Sequence, residues 1–326
     1  MRDHPDAPFA GWQPPAYTVD TDGKVVGAVP GEPHNWGRWG PLDQRGTANL
    51  LTAARARDAA RLVRTGETFA LGLAMGAGAP NPGTRSGPGH FMTRTAGDQV
   101  LADPGPHGLQ SSDDVVLLPL QLATQLDGLA HAGDDDVLYN GFWAGLVTAQ
   151  SGARRLGIHQ LAGGIVGRGV LIDVAGVLDV DPFDTAIDAA MLDQVAAASG
   201  VRVGAGDVVL VRTGFLSRWL ADPEARRRRR QSGLLAATID WLARRDVAMV
   251  AADNRAVEVI PDPDGRILPW HVAALRDLGL MVGELFDLDA LAAACRADGV
   301  YEFLFAAMPM PLVNAVGSPL NPVAVK

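Results

Sequence analysis

One cysteine in 326 residues, Cys295, excludes an intramolecular disulfide and any CxxC zinc pattern. It lies in LDALAAAC, an apolar helix-like run, and reads as a small core residue rather than a nucleophile. No apolar run approaches the roughly 18 residues that span a bilayer. The N-terminal MRDHPDAPFAGW has no apolar stretch of the kind a secretory signal carries. The expectation is a cytoplasmic protein with no membrane partner. Positive charge is also short. Lys and Arg number 28 against 37 Asp and Glu, giving a net charge of −9 and a pI near 5.2. A nucleic-acid backbone would be repelled by such a chain, so no nucleic-acid partner is expected. The run Arg226–Arg230 is the local exception and reads as a solvated face. There is no GxGxxG after a strand, no Walker loop and no GxSxG, so nucleotide binding has no support.

What is present fits a folded α/β chain. Apolar residues make up 48% and charged residues 20%, enough for a full core in a chain of this length. Residues 1–34 read as an N-terminal extension and 35–326 as a single domain. The first 110 residues are rich in Gly and Pro. Loops such as GAGAPNPGTRSGPGH, Gly76–His90, are too long for simple connections and suit a covering role. From Asp113 the pattern becomes regular. DDVVLLPLQ predicts a buried strand and GRGVLIDVA another. TAIDAAMLDQVAAAS has helical spacing, with Asp184 or Thr185 as N-cap and Gly200 as stop. Strands are then predicted at GDVVLVRTG, DVAMVAAD, LMVGELF and YEFLFAAMP. Helices are predicted at GLLAATIDWLARR, PWHVAALRDLG and DLDALAAACRADG. Alternating elements of this kind, with strands apolar throughout, predict a sheet covered on both faces.

Several ionisable groups stand in apolar surroundings. Asp127 is flanked by Leu126 and Leu129, and Glu284 lies between two apolar runs. Burying a bare carboxylate is costly, so each needs a partner or a cation. His271 is ordinary on its own. It precedes Glu284 by thirteen residues, however, and the intervening helix and strand could return the chain to one place. Asp253, in AADNRAVEVIP, closes another strand. The segment QLATQLDGLAH adds Gln121 and Gln125 four residues apart, then Asp127 and His131 four apart. With histidines at the two glutamines it would read HxxxHxDxxxH, the polar groups of a metal site.

These pieces resemble the cyclase family that includes bacterial kynurenine formamidase and related metal-dependent amide and lactone hydrolases. NWGRWGPLDQRGTANLLT, Asn35–Thr52, resembles the family's WG-x-D-x-x-G-x-x-N-x-L-T motif. QLATQLDGLAH resembles HxGTHxDxPxH, His271 and Glu284 a downstream pair, and GSPLNPVAV the C-terminal GSPxRxxA. The resemblance implies a swivelling β/β/α domain, with a mixed sheet curling toward a barrel and helices outside, and a homodimer or higher oligomer. In formamidase-like members it implies two zinc ions, the aspartate bridging them. Asp127, His271 and Glu284 match the second-ion set, and His131 matches the general acid/base. Gln121 and Gln125 stand where the other ion's histidines would be. An amide oxygen is a weaker ligand than imidazole and suits harder ions than zinc. The first position is therefore expected to be weak or empty, leaving one divalent ion, Mn or Zn. A branch of the family with TQWDGLxH followed by YNG matches here at Thr124, Gln125, Asp127, Gly128, Leu129, His131, Tyr139, Asn140 and Gly141.

The expectation is a hydrolase of a small cyclic amide, lactone or aryl amide, with metal-activated water and His131 moving the proton. Gln121, Gln125, Trp36, Trp39, His90, Tyr139 and Asn140 are the expected substrate contacts. The alternatives are a cyclisation, dehydration or isomerisation using Asp127 and His131 as an acid/base pair, and a binding protein without turnover.

Overall fold

The structure is a computed structural model that describes residues 16–76, 79–80, 85–101, 106–222 and 224–326. Residues 1–15 of the expected extension, and 77–78 and 81–84 of the long loop, lie outside the described residues. A nine-stranded curled sheet forms the centre. Its strands, in chain order, are β1 (Thr68–Ala70), β2 (Gln125–Asp127), β3 (Ile165–Asp173), β4 (Val208–Arg212), β5 (Met249–Ala252), β6 (Met281–Glu284), β7 (Glu302–Ala307), β8 (Gly317–Pro319) and β9 (Val323–Val325). The order across the sheet is β1-β9-β7-β3-β4-β5-β6-β2-β8. β3, β4, β5 and β6 run parallel, while β7, β9, β1, β2 and β8 pair antiparallel on either side.

The parallel strands are apolar throughout because both faces are covered. Val209, Val211, Val250, Ala252 and Val282 face one layer, made by Ala189–Ala198, Thr238–Arg244 and the helix around Leu275. Val208, Leu210, Met249, Ala251 and Met281 face the other, with Leu291, Ala292 and Cys295 of helix Asp289–Asp298. Cys295 is thus a core residue, as its neighbours in sequence suggest.

Three local expectations shift. The helix predicted from Thr185 begins at Ala189, because Asp188 is the N-cap and accepts from Met191 N at 2.8 Å. Thr185 and Asp184 precede a short bridge, Ala186–Ile187, that pairs with Gly233–Leu234. That bridge also shortens the next helix to Thr238–Arg244. The strand predicted at Asp113 exists as Asp113–Leu117, but it pairs with Gly89–Arg94 in a separate hairpin, and its residues are exposed rather than buried. Its apolar run was read as core because periodicity cannot separate a buried strand from an exposed apolar one.

The segment before residue 50 lies against the body at the joint between a helix and β6. Thr47 N donates to Gly279 O at 2.8 Å, and Thr47 Oγ1 donates to Ala248 O at 2.7 Å. Gly46 permits this approach: it has φ +55°, and a Cβ there would stand 2.1 Å from Gly279 O. Gly37 also has positive φ, +74°, but faces open space. Gly46→Ala is therefore expected to cost about 3 kcal/mol and Gly37→Ala about 1 kcal/mol in chemical denaturation. Equal costs would show that the contact with Gly279 does not fix this segment.

Candidate metal centre

The centre is assembled by strand register. Across β6 and β2, Val282 lies opposite Asp127 and Glu284 opposite Gln125. Across β2 and β8, Gly317 lies opposite Asp127 and Pro319 opposite Gln125. Residues two apart, and residues directly opposite in an antiparallel pair, share a face. Gln125, Asp127 and Glu284 therefore project together on one side, while Leu126 packs into the core on the other.

His271 arrives on a helix that starts at Pro269, whose missing N–H suits a first helical position. The next two amides need acceptors, and Glu258 supplies them. Trp270 N donates to Glu258 Oε2 and His271 N to Glu258 Oε1, both at 3.1 Å. His271 Nδ1 lies 2.5 Å from the same Oε1. A carboxylate there fixes the proton on Nδ1 and turns Nε2 toward the sheet. Nε2 stands 3.2 Å from Glu284 Oε1 and 3.8 Å from Asp127 Oδ2. The helix continues as a π-helix, Val272–Leu278, a form often found beside functional sites. Glu258 itself is held by a close approach: a Cβ on Gly233 would meet Glu258 C at 2.3 Å.

His131 is returned to the centre by a tight turn in which its N donates to Gly128 O at 2.9 Å. Its Nε2 is 3.8 Å from Asp127 Oδ1, and its side chain is 25% exposed. It also lines a cavity of about 390 Å³ with Asp134, Asp135 and Asp136.

One potential ligand atom from each of Asp127, His271 and Glu284 lies within 4.8 Å of the others, and all three residues are buried. Burial pushes the Asp127 carboxyl up, but His131, His271 and Arg85 outweigh it and hold it below the ordinary value. Burial, then the Asp127 charge, pushes Glu284 up to about 7. Burial pulls His271 down, yet its bonds with acidic neighbours keep it well above an ordinary histidine. Both Asp127 oxygens are buried with no hydrogen-bond donor among the described residues. The carboxylate is thus balanced by neighbouring charge rather than by hydrogen bonds, which leaves both oxygens open to a ligand, and the set of one nitrogen and two carboxylates suits a divalent ion. The residues present therefore fit a metal.

The other expected residues divide. Gln125 Nε2 donates to Glu284 Oε2 at 2.6 Å, so Gln125 belongs to the centre. Gln121 Nε2 is buried without a partner among the described residues, and a Cβ on Gly317 would meet it at 2.4 Å. Trp36, Tyr139 and Asn140 bind the N-terminal segment to the body. Asn140 Nδ2 donates to Gly40, Pro41 and Asp43 carbonyls, Tyr139 Oη to Asp43 Oδ2, and Trp36 Nε1 to Arg276 O. Trp39 lies under Arg38, with 4.8 Å between the guanidinium and the ring. His90 is on the exposed hairpin, 2.7 Å from Asp114. It helps line an open apolar cleft of about 990 Å³ with Leu73, Met308, Pro319 and Leu320. Pro319, which pairs with Gln125, links this cleft to the strand of the centre; Asp127, His131, His271 and Glu284 do not line it.

Glu258 escaped the sequence reading. Its signal was the one used for Glu284, an acid between apolar residues in AVEVI. Asp253, noted from the same segment, instead accepts from Thr213 N, Thr213 Oγ1 and Gly214 N, and burial pushes it up to about 6.

Residues 57–259 match the family model described as "Putative cyclase". A solved structure described as a novel cyclase is 39% identical, with a TM-score of 0.84, covering 90% of this chain and 99% of that one. Isatin hydrolase A from Labrenzia aggregata, bound to benzyl benzoate, is 16% identical with a TM-score of 0.59, covering 82% and 94%. An isatin hydrolase bound to the product analogue thioisatinate is 17% identical with a TM-score of 0.58, covering 84% and 98%. At those identities the two hydrolases show a shared fold alone. No curated protein matches the chain.

Glu258→Gln keeps the size of the side chain and weakens its hold on His271. It is expected to lower divalent-metal affinity by about 10–100-fold in isothermal titration, with an unchanged circular dichroism spectrum. Unchanged affinity would show that Glu258 only caps the helix.

Proposed function

Because the chain belongs to the cyclase family, we propose that it is a metal-dependent hydrolase of a small cyclic amide, lactone or aryl amide. The observation that supports this best is Asp127, a buried carboxylate with no hydrogen-bond donor among the described residues, faced by two imidazoles and close to Glu284. Asp127, His271 and Glu284 would hold the ion. A divalent ion bound there supplies Lewis acidity, polarising a carbonyl and making water more acidic.

The protein's own groups divide the remaining work. Glu258 holds His271 in the tautomer that offers Nε2 to the centre. The open apolar cleft beside Pro319 is where the body of a small aromatic or cyclic substrate would lie. His131 is the one imidazole of the centre that reaches solvent, at 25% side-chain exposure. Its Nε2 takes a proton from water and returns it to the leaving nitrogen or oxygen. Asp127 Oδ1, 3.8 Å away, stabilises the cation that His131 becomes between the two transfers. Water's oxygen joins the carbonyl carbon and the C–N or C–O bond breaks, the departing nitrogen or oxygen taking the proton held by His131; a cyclic amide or lactone opens to one product that carries both ends, whereas an aryl amide gives an acid and an amine.

A second reading has one observation in its favour. Gln121 Nε2, without a partner among the described residues, is a donor suited to an enolate oxygen, as a cyclase or isomerase would need.

One experiment separates them. A panel of N-formylaniline, isatin and dihydrocoumarin is assayed in ¹⁸O-labelled water, with and without chelator. Hydrolysis predicts label in the product, loss of turnover with chelator, and a drop in kcat of about 10²–10⁴ in His131→Ala with metal affinity retained. Full turnover by His131→Ala, or turnover indifferent to chelator, would overturn the hydrolase reading.

A further inference from the structure

Gln125 is 1% exposed, and its amide is satisfied on one side only. Nε2 donates to Glu284 Oε2 at 2.6 Å, whereas Oε1 is buried with no donor among the described residues. With Glu284 ionised, as a metal ligand must be, reversing the amide would set its oxygen against a carboxylate oxygen, two acceptors without a proton between them. The bond to Glu284 thus fixes which end of the amide is left over, and the leftover end is an acceptor. A residue needed only to fill this space would be apolar, because an unpaired buried carbonyl is unfavourable.

The same face of β2 carries Asp127, whose Oδ1 and Oδ2 also lack donors. Three acceptor atoms from two residues, two positions apart on one face of a strand, are thus buried with no hydrogen-bond donor among the described residues; the imidazole nitrogens His131 Nε2 and His271 Nε2 stand 3.8 Å from the Asp127 oxygens, beyond hydrogen-bond reach. Acceptors gathered in this way repel one another unless a cation lies between them.

We propose that Gln125 Oε1 is the fourth protein ligand of the metal centre, and that it biases the centre toward hard, oxygen-seeking divalent ions such as Mn²⁺ relative to Zn²⁺. This rests on the reading that Asp127, His271 and Glu284 hold an ion. Gln125 then has two tasks in one amide. Its nitrogen occupies Glu284 Oε2 and leaves Glu284 Oε1, the atom beside His271 Nε2, for the ion. Its oxygen adds a neutral carbonyl donor. Carbonyl oxygen suits Mg²⁺, Ca²⁺ and Mn²⁺, whereas Zn²⁺ is content with three protein ligands and water. Losing the carbonyl should therefore weaken Mn²⁺ more than Zn²⁺.

The test is competitive titration of metal-free protein with Mn²⁺ and with Zn²⁺ for the wild type, Gln125→Leu and Gln125→His. The leucine variant is expected to lose at least about tenfold in Mn²⁺ affinity and less than about threefold in Zn²⁺ affinity. The histidine variant, with a nitrogen donor in place of the carbonyl, is expected to gain Zn²⁺ affinity relative to Mn²⁺. It decides the matter by the same ratio should the leucine variant fail to fold. A glutamine that only steadies Glu284 would lower both affinities by one factor, and that unchanged ratio would overturn the proposal. Wild-type protein that binds both ions with no dependence on residue 125 would overturn it alone. Wild-type protein that binds neither would overturn both the proposal and the metal reading beneath it.

Discussion

Removing Asp127, Glu284 and Glu258 from water around a single imidazole is the constraint on which this structure turns. Each carboxylate is at most 4% exposed. Desolvation of that size is tolerable only where the charges are matched by protons, hydrogen bonds or a cation. Glu258 is matched by two helix amides and the His271 ring. Glu284 is partly matched, by Gln125 and His271, and burial still raises it to about 7. Asp127 has no donor among the described residues. The gradient of satisfaction runs toward Asp127, and that is where a cation restores balance.

The surrounding fold supplies the geometry this balance needs. β2 is inserted between β6 and β8, so its two polar residues are held on both sides by backbone pairing. The helix carrying His271 ends at Gly279, and the chain passes directly into the strand carrying Glu284. The Asn35–Thr52 segment lies over that joint through Thr47, Asn35 and Trp36. Tyr139 and Asn140 then fasten this segment from the other side. Residues that resemble a family signature thus fix how a helix meets a strand.

Much of this is legible in the chain. The parallel strands announce themselves as apolar runs because both faces are buried, and helices such as Asp289–Asp298 by their spacing. Asp127 and Glu284 stand out because an acid between leucines or valines demands an explanation. Glu258, set among Val257, Val259 and Ile260, carries the same signal. The short strands β8 and β9, three residues each, leave no periodic signal. The hairpin at Gly89–Arg94 and Asp113–Leu117 misleads because exposed and buried apolar strands have the same composition. The half-satisfied state of Gln125 depends on register across three strands, which no local pattern encodes.

Occupation of the centre built from Asp127, His271 and Glu284 by one ion can be seen by anomalous diffraction from crystals grown with Mn²⁺. A single strong anomalous peak bounded by those three side chains is expected, and none in crystals of Asp127→Ala. No peak there, or a second peak of equal height beside Gln121, would contradict it.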